Sequence, residues 1–202
     1  MGLKNYEPAL TDFNGLLCED RDGTLTCVAT DKGDVPIRDI TCHYKVLTRN
    51  GYRTVLTVVG IVGAVETPYH LQLKGEGSPQ GGFWCAPTQE VFCVETQSFL
   101  PAIHTWQWHV TGEHPRDSRH TFEYAGGYGS CLNIKGDACL VRAISSIGLG
   151  SRYALRPLYN IAVECRSPDE VPEFYANGLL VRGIGTYEHM YFGAKRRLGL
   201  EG

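Results

Sequence analysis

Short runs rich in β-branched and aromatic residues recur through the first hundred positions of the chain. Leu25 to Ala29, Ile40 to Leu47, Tyr52 to Val59, Tyr69 to Leu73 and Glu90 to Glu95 are five of them. Gly, Pro, Asp or Asn separates the runs, so each reads as a β-strand. Asn50-Gly51 lies between two runs and signals a two-residue hairpin. From Ile103 to Val110, Trp106 and Trp108 alternate with polar residues, the period of a half-buried strand. The stretch Gly75 to Gly82, GEGSPQGG, reads as a loop.

The pattern changes near His114 to His120, HPRDSRH, which reads as a linker. Beyond the Gly-rich turn YAGGYGS, Tyr124 to Ser130, the spacing predicts a short helix over Ala138 to Ile147, with Asp137 as its N-cap. Ser167-Pro168-Asp169-Glu170 predicts the start of a second helix, with Pro in the first turn followed by acids, and Asn177-Gly178 its end. Leu179 to Ile184 and Tyr187 to Ala194 read as two strands joined at Gly185. The tail, KRRLGLEG, reads as extended and mobile. The expected fold class is therefore α+β, with a β-rich domain over residues 1–120 and a compact second domain over 121–202.

Composition narrows the function. Of 202 residues, 43% are apolar and 20% charged, the profile of a folded protein. The 19 basic and 22 acidic side chains give a net charge of −3, which argues against a nucleic-acid partner. No apolar run reaches the ~20 residues of a membrane helix. The longest, Val55 to Val65, is broken by Gly60 and Gly63. The N-terminus lacks a signal-peptide pattern, and Tyr6 stands where a myristoylation signal has Ser or Thr. The eight cysteines are accordingly expected to be thiols, ligands or a nucleophile rather than disulfides.

The candidate chemistry centres on Asn133 to Ile144, NIKGDACLVRAI. A cysteine at a helix start gains thiolate character from the helix dipole and the free N–H groups there. Cys139 has that expected placement, with Gly136 allowing a tight entry turn. Asn133, six residues earlier, is a candidate second oxyanion donor. His189, the only histidine after Cys139, is the candidate base, on an expected strand. Asn160 and Asp169 are candidates to orient its ring.

This order of residues resembles the papain-like leader cysteine proteases of positive-strand RNA viruses, of the aphthovirus, arterivirus and hypovirus type. The resemblance rests on Cys-x-x-x-Ala-Ile after a Gly/Asp/Asn-rich turn, a late strand His and the terminal Leu200-Glu201-Gly202. It implies a papain-like domain over 121–202 that releases itself from a polyprotein by cutting after Gly202. Cys139 and His189 would form the catalytic dyad, Asn133 would hold the oxyanion, and Leu200, Glu201 and Gly202 would occupy the cleft. It implies no cofactor, no membrane, the chain's own polyprotein as substrate, and the host cell cytoplasm as location. CLVRAIS also looks like the nucleophile motif of OTU-type deubiquitinases, which would make ubiquitin a partner. A third reading is a non-enzymatic suppressor of host defence, with host factors as partners of the β-rich domain.

Bland readings stand beside these. The alternative for Cys139 is a buried structural thiol, which the combined pattern places behind the nucleophile reading. Cys131, after Gly127-Tyr128-Gly129-Ser130, is a rival nucleophile that resembles the Gly-Tyr-Cys motif of the potyviral helper-component protease. Cys18, Cys27 and Cys42 with His43, or Cys85 and Cys93 with His70, are candidate zinc ligands, although no tight Cys-x₂₋₄-Cys pair is present.

Overall fold

The computed structural model describes residues 14–19, 23–62, 69–74, 82–94, 96–102, 129–132, 135–136, 138–145, 156–167 and 169–185. Among them lie fifteen β-strands and no α-helix. The strands are β1 (Leu16–Leu17), β2 (Cys27–Thr30), β3 (Gly33–Pro36), β4 (Lys45–Thr48), β5 (Gly51–Ile61), β6 (Tyr69–Lys74), β7 (Phe83–Cys85) and β8 (Glu90–Cys93). They continue with β9 (Ser98–Pro101), β10 (Gly129–Leu132), β11 (Ala138–Ser145), β12 (Leu158–Val163), β13 (Glu173–Ala176), β14 (Leu179–Arg182) and β15 (Ile184–Gly185). One 3₁₀ turn, Ile37–Asp39, follows β3.

The hydrogen-bonded order is β1-β7-β6-β11-β10-β8-β14-β13-β2-β4-β5-β12, and β12 pairs back onto β1, so the ribbon closes on itself. β15 adds to β12 in parallel, while β3 and β9 flank β2 and β8. Closure removes exposed edges from the main circuit. The largest apolar cluster joins residues distant in sequence, among them Leu16, Leu71, Val91, Ile161, Phe174 and Val181. Hydrogen bonding crosses the expected boundary at residue 120 repeatedly: β12 with β5, β14 with β8, β13 with β2 and β12 with β1.

Two turns are built alike. In Thr30-Asp31-Lys32-Gly33 and Thr48-Arg49-Asn50-Gly51 the threonine hydroxyl donates to the glycine carbonyl, at 2.6 and 2.7 Å. The same hydroxyl accepts the N–H two residues on, at 3.1 Å in both. Each glycine takes a left-handed φ, 96° and 86°, that completes the reversal. The hairpin expected at Asn50-Gly51 is therefore present, with Arg49-Asn50 as its tip and Gly51 as the first residue of β5.

The α+β expectation is overturned at both predicted helices. Residues 138–145 form β11, paired with β10 on one side and with β6 along six positions on the other. ACLVRAIS is a short, mostly apolar run, and a run of that kind has no period that separates a strand from a helix. The segment after Ser167 makes a single turn, closed by Glu170 N–H on Ser167 O at 3.2 Å, and then becomes β13. Pro172 explains this, since a proline at that depth removes a helix hydrogen bond and clashes with the preceding turn. Asn177-Gly178 is the two-residue tip of the β13–β14 hairpin, with φ of 44° and 81°, the mirror-image turn that Asn-Gly favours. The expected strands over 103–110 and 187–194, the linker at 114–120 and the tail lie outside the described residues.

Candidate functional site

β1 is the keystone of the closed ribbon. Leu16 pairs with Cys85 of β7 and with Tyr159 of β12, and Leu17 pairs with Leu158. The peptide on both sides of β1 is gripped through its carbonyls. Asn160 Nδ2 donates to Asn14 O at 2.7 Å, and Ala86 N–H to Gly15 O at 2.8 Å. Thr26 Oγ1 donates to Leu17 O at 2.5 Å, and Thr26 N–H to Cys18 O at 2.7 Å. Thr26 is buried, so its hydroxyl bond to Leu17 O is shielded from competing water.

Cys18 follows directly. It is 7% exposed and borders a cavity of about 270 Å³ whose wall includes Glu19, Arg38, Arg156 and Tyr159. Burial pushes the Cys18 thiol above its ordinary value. The Arg38 backbone N–H and guanidinium oppose the rise, and the Asp39 and Glu19 carboxylates add to it. Arg156 Nη1 donates to Glu19 O at 3.0 Å, fixing the chain just beyond the thiol. The arrangement is a neutral thiol next to a peptide carbonyl that already receives a buried hydroxyl donor.

A second polar cluster continues from Gly15. Ala86, which holds Gly15 O, accepts Gln89 N–H at 3.0 Å. Gln89 is fully buried, and its Nε2 donates to Glu90 O and to Arg182 O, both at 3.0 Å. Two carbonyls on Nε2 fix the amide orientation, because a flip would set oxygen against oxygen. Gln89 Oε1 is the one buried side-chain oxygen or nitrogen without a partner among the described residues. Asn160, also buried, uses Oδ1 to accept Ile161 N–H at 2.7 Å while Nδ2 holds Asn14 O.

The structure places the sequence-derived candidates differently. Cys139 lies within β11, opposite Cys131 of β10, so the helix start that was to supply its thiolate is absent. Asn133, His189, Leu200, Glu201 and Gly202 lie outside the described residues. Asn160 serves the Asn14 carbonyl, as described above, and Asp169 lies in the turn before β13. The proposed zinc groups do not assemble: no cluster of three or more His, Cys, Asp or Glu suited to a metal occurs among the described residues. His70 instead stacks on Trp84, with ring centroids 4.9 Å apart and planes 20° from parallel. Thr26 gave no signal in the sequence, because threonine is an ordinary strand residue. Gln89 is polar between Thr88 and Glu90 and gave no sign of its burial.

No known protein family and no curated protein matches the sequence. Solved structures do match the fold. The crystal structure of the gp41-1 intein superposes with a TM-score of 0.53 at 16% identity, covering 85% of this chain and 99% of that one. A DnaB intein from Synechocystis sp. PCC 6803 gives 0.53 at 8% identity, with coverages of 85% and 99%. The bacterial intein-like domain from Clostridium thermocellum gives 0.52 at 15% identity, with 84% and 98%. The chain has an intein-like fold. That fold overturns the resemblance to papain-like viral leader proteases, because the Cys-bearing helix of such an enzyme is a strand here. The OTU deubiquitinase reading, which rested on CLVRAIS as a nucleophile motif, and the host-defence suppressor reading are set aside by the same intein-like fold.

Proposed function

We propose that this protein is an autoprocessing module that rearranges its own backbone at the Leu17–Cys18 bond. Inteins are self-splicing and use a Cys or Ser nucleophile, and the fold likeness supports chemistry of that class. The single observation that carries the reading is the buried Thr26 hydroxyl, 2.5 Å from the carbonyl oxygen immediately before Cys18. A cysteine sulfur reaches the preceding carbonyl carbon through a five-membered ring, so no movement of distant elements is required.

In the proposed step the Cys18 thiol gives up its proton and its sulfur adds to the Leu17 carbonyl carbon. Thr26 Oγ1 stabilises the oxyanion that forms. The C–N bond then breaks, the proton goes to the Cys18 nitrogen, and Leu17 is left as a thioester on Cys18 Sγ. An external thiol or amine would then take the acyl group and cut the covalent link after Leu17.

The test is incubation of the full chain with dithiothreitol or hydroxylamine, read by intact mass. Cleavage between Leu17 and Cys18 that disappears in Cys18→Ala supports the reading, and an uncut chain in both reagents refutes it. A second reading places the event at Asn14–Gly15, where Asn160 Nδ2 polarises the Asn14 carbonyl. There the Asn14 side-chain amide would close onto its own carbonyl and expel Gly15. A fragment ending at residue 14, formed without added thiol and still formed by Cys18→Ala, would select it.

A further inference from the structure

The notable feature away from this site is a row of cysteines across three adjacent strands. Cys131 of β10 lies opposite Cys139 of β11 in antiparallel register, and opposite Cys93 of β8 on its other side. Directly opposed antiparallel residues have Cα atoms about 4.5–5.5 Å apart. A disulfide needs about 4.4–6.8 Å, so either neighbour of Cys131 lies within bridging range. Cys93 and Cys139 are two strand spacings apart, about 9–10 Å, and do not bridge each other. That separation also disfavours a shared metal, whose thiolate ligands each sit only about 2.3 Å from the ion. The position of Cys139 in β11, which removed it from a helix start, is what brings it into this row.

We propose that Cys131 is the pivot of a thiol–disulfide switch, closing onto Cys139 in the oxidised chain, with Cys93 as its alternative partner. The oxidant is a small disulfide such as oxidised glutathione. It accepts two electrons and leaves as two thiols, while Cys131 and Cys139 lose two protons and join. Exchange follows when the Cys93 thiolate attacks the Cys131 sulfur and releases Cys139 as a thiol. The Cys131–Cys139 bond staples the β10–β11 hairpin one pair away from the connection between the two strands. The Cys93–Cys131 bond instead ties that hairpin to β8, two arrangements of one ribbon.

The test treats the full chain with oxidised glutathione, blocks remaining thiols, and maps unreduced peptides. Trypsin separates the three positions by cutting after Arg116, Lys135 and Arg142, and a second cut after Glu90 separates Cys93 from Cys85. The expected products are a 131–139 bridge in the wild type and a 93–131 bridge in Cys139→Ser. A Cys131→Ser chain should show neither. A wild-type chain in which all three thiols are blocked as monomeric peptides overturns the proposal, and so does a 93–139 bridge in any variant. The wild-type map needs no substitution, so a variant that fails to fold does not leave the question open. The result is independent of cleavage at Cys18.

Discussion

Thr26 and Cys18 are joined by backbone while Thr26 also holds the peptide that precedes Cys18. Its N–H donates to Cys18 O at 2.7 Å and its hydroxyl to Leu17 O at 2.5 Å. One residue therefore fixes both ends of the bond proposed to react. Thr26→Val keeps the shape and the backbone bond but deletes the hydroxyl. Thiol-induced cleavage should slow by about 10²–10³, the usual cost of losing one oxyanion donor. Stability should fall by about 1–3 kcal/mol, because a buried carbonyl loses its partner. Thr26→Ser should restore most of the rate, which a purely steric role would not require; single-turnover cleavage followed by mass spectrometry checks this.

The cysteines give the protein an alkaline limit. Burial raises the thiols of Cys18, Cys27 and Cys85, Cys85 the most, with no compensating charge. A group whose folded pKa is raised stabilises the fold fully below its unfolded value. That contribution is lost as pH rises toward the folded value, because the unfolded chain ionises first. Loss should begin near the ordinary thiol value of 9.0 and proceed at up to about 1.4 kcal/mol per pH unit for fully buried Cys85. Denaturant midpoints between pH 7 and 11 should decline less steeply in Cys85→Ala than in the wild type. A parallel decline would remove Cys85 as the cause.

Arg49 and Glu173 form the tightest ion pair among the described residues. Arg49 Nε donates to both carboxylate oxygens at 3.0 and 2.9 Å, Nη2 to Oε2 at 2.7 Å, and the backbone N–H to Oε1 at 3.1 Å. The guanidinium also lies 4.2 Å from the Phe92 ring centroid. Glu173 is buried, so removing its partner strands a charge. Arg49→Ala should cost about 3 kcal/mol, and Arg49→Lys should recover little, because a point charge does not reproduce the fork or the stacking. The check is chemical denaturation of both variants with Glu173→Gln as the neutral control.

Asn177 ties three segments with one side chain. Oδ1 accepts Cys27 N–H at 2.7 Å, and Nδ2 donates to Gly82 O at 2.8 Å and Leu25 O at 3.2 Å. It also holds φ at 44°, in the left-handed region. Asn177→Ala should destabilise by about 3 kcal/mol, a loss of about 6–12 °C in Tm for a chain of this size. Asn177→Gly relieves the backbone cost alone and should fall between the two. Equal Tm values for Gly and Ala would show that the side-chain bonds carry the whole effect.

Glycine at 183 is set by space. A Cβ there would stand 2.8 Å from Ile161 O and 3.3 Å from the Phe174 ring. Gly183→Ala should cost about 1–3 kcal/mol through overpacking between β12 and β13, readable as a lowered denaturant midpoint.

Local patterning made many strands legible. The runs at Tyr52 to Val59 and Tyr69 to Leu73 fall inside β5 and β6, and the hairpin at Asn50-Gly51 formed within one residue of its expected tip. Where the reading failed, the missing information was tertiary. ACLVRAIS carries no local mark of the two strands that flank it, and a capping residue with a cysteine nearby resembled a helix start. Pro172 is a local mark against the second helix, and the expectation built on Ser167-Pro168-Asp169-Glu170 did not include it. Asn177-Gly178 fits a helix end as well as a hairpin tip, and only the pairing of β13 with β14 decides. The candidate site was hidden because its parts, Thr26, Cys18, Asn160 and Gln89, are spread over some 140 positions and meet only when the ribbon closes.

β1 has two residues, yet it bridges β7 and β12, and the proposed scissile bond lies at its downstream end. Breaking that bond would not free the leading segment. Leu16 and Leu17 would stay wedged between their neighbours as a non-covalent insert, much as a severed strand complements the body it came from. The nicked protein would therefore migrate as one particle in native buffer and part into two pieces only on denaturation, with the inserted peptide exchangeable for a synthetic copy.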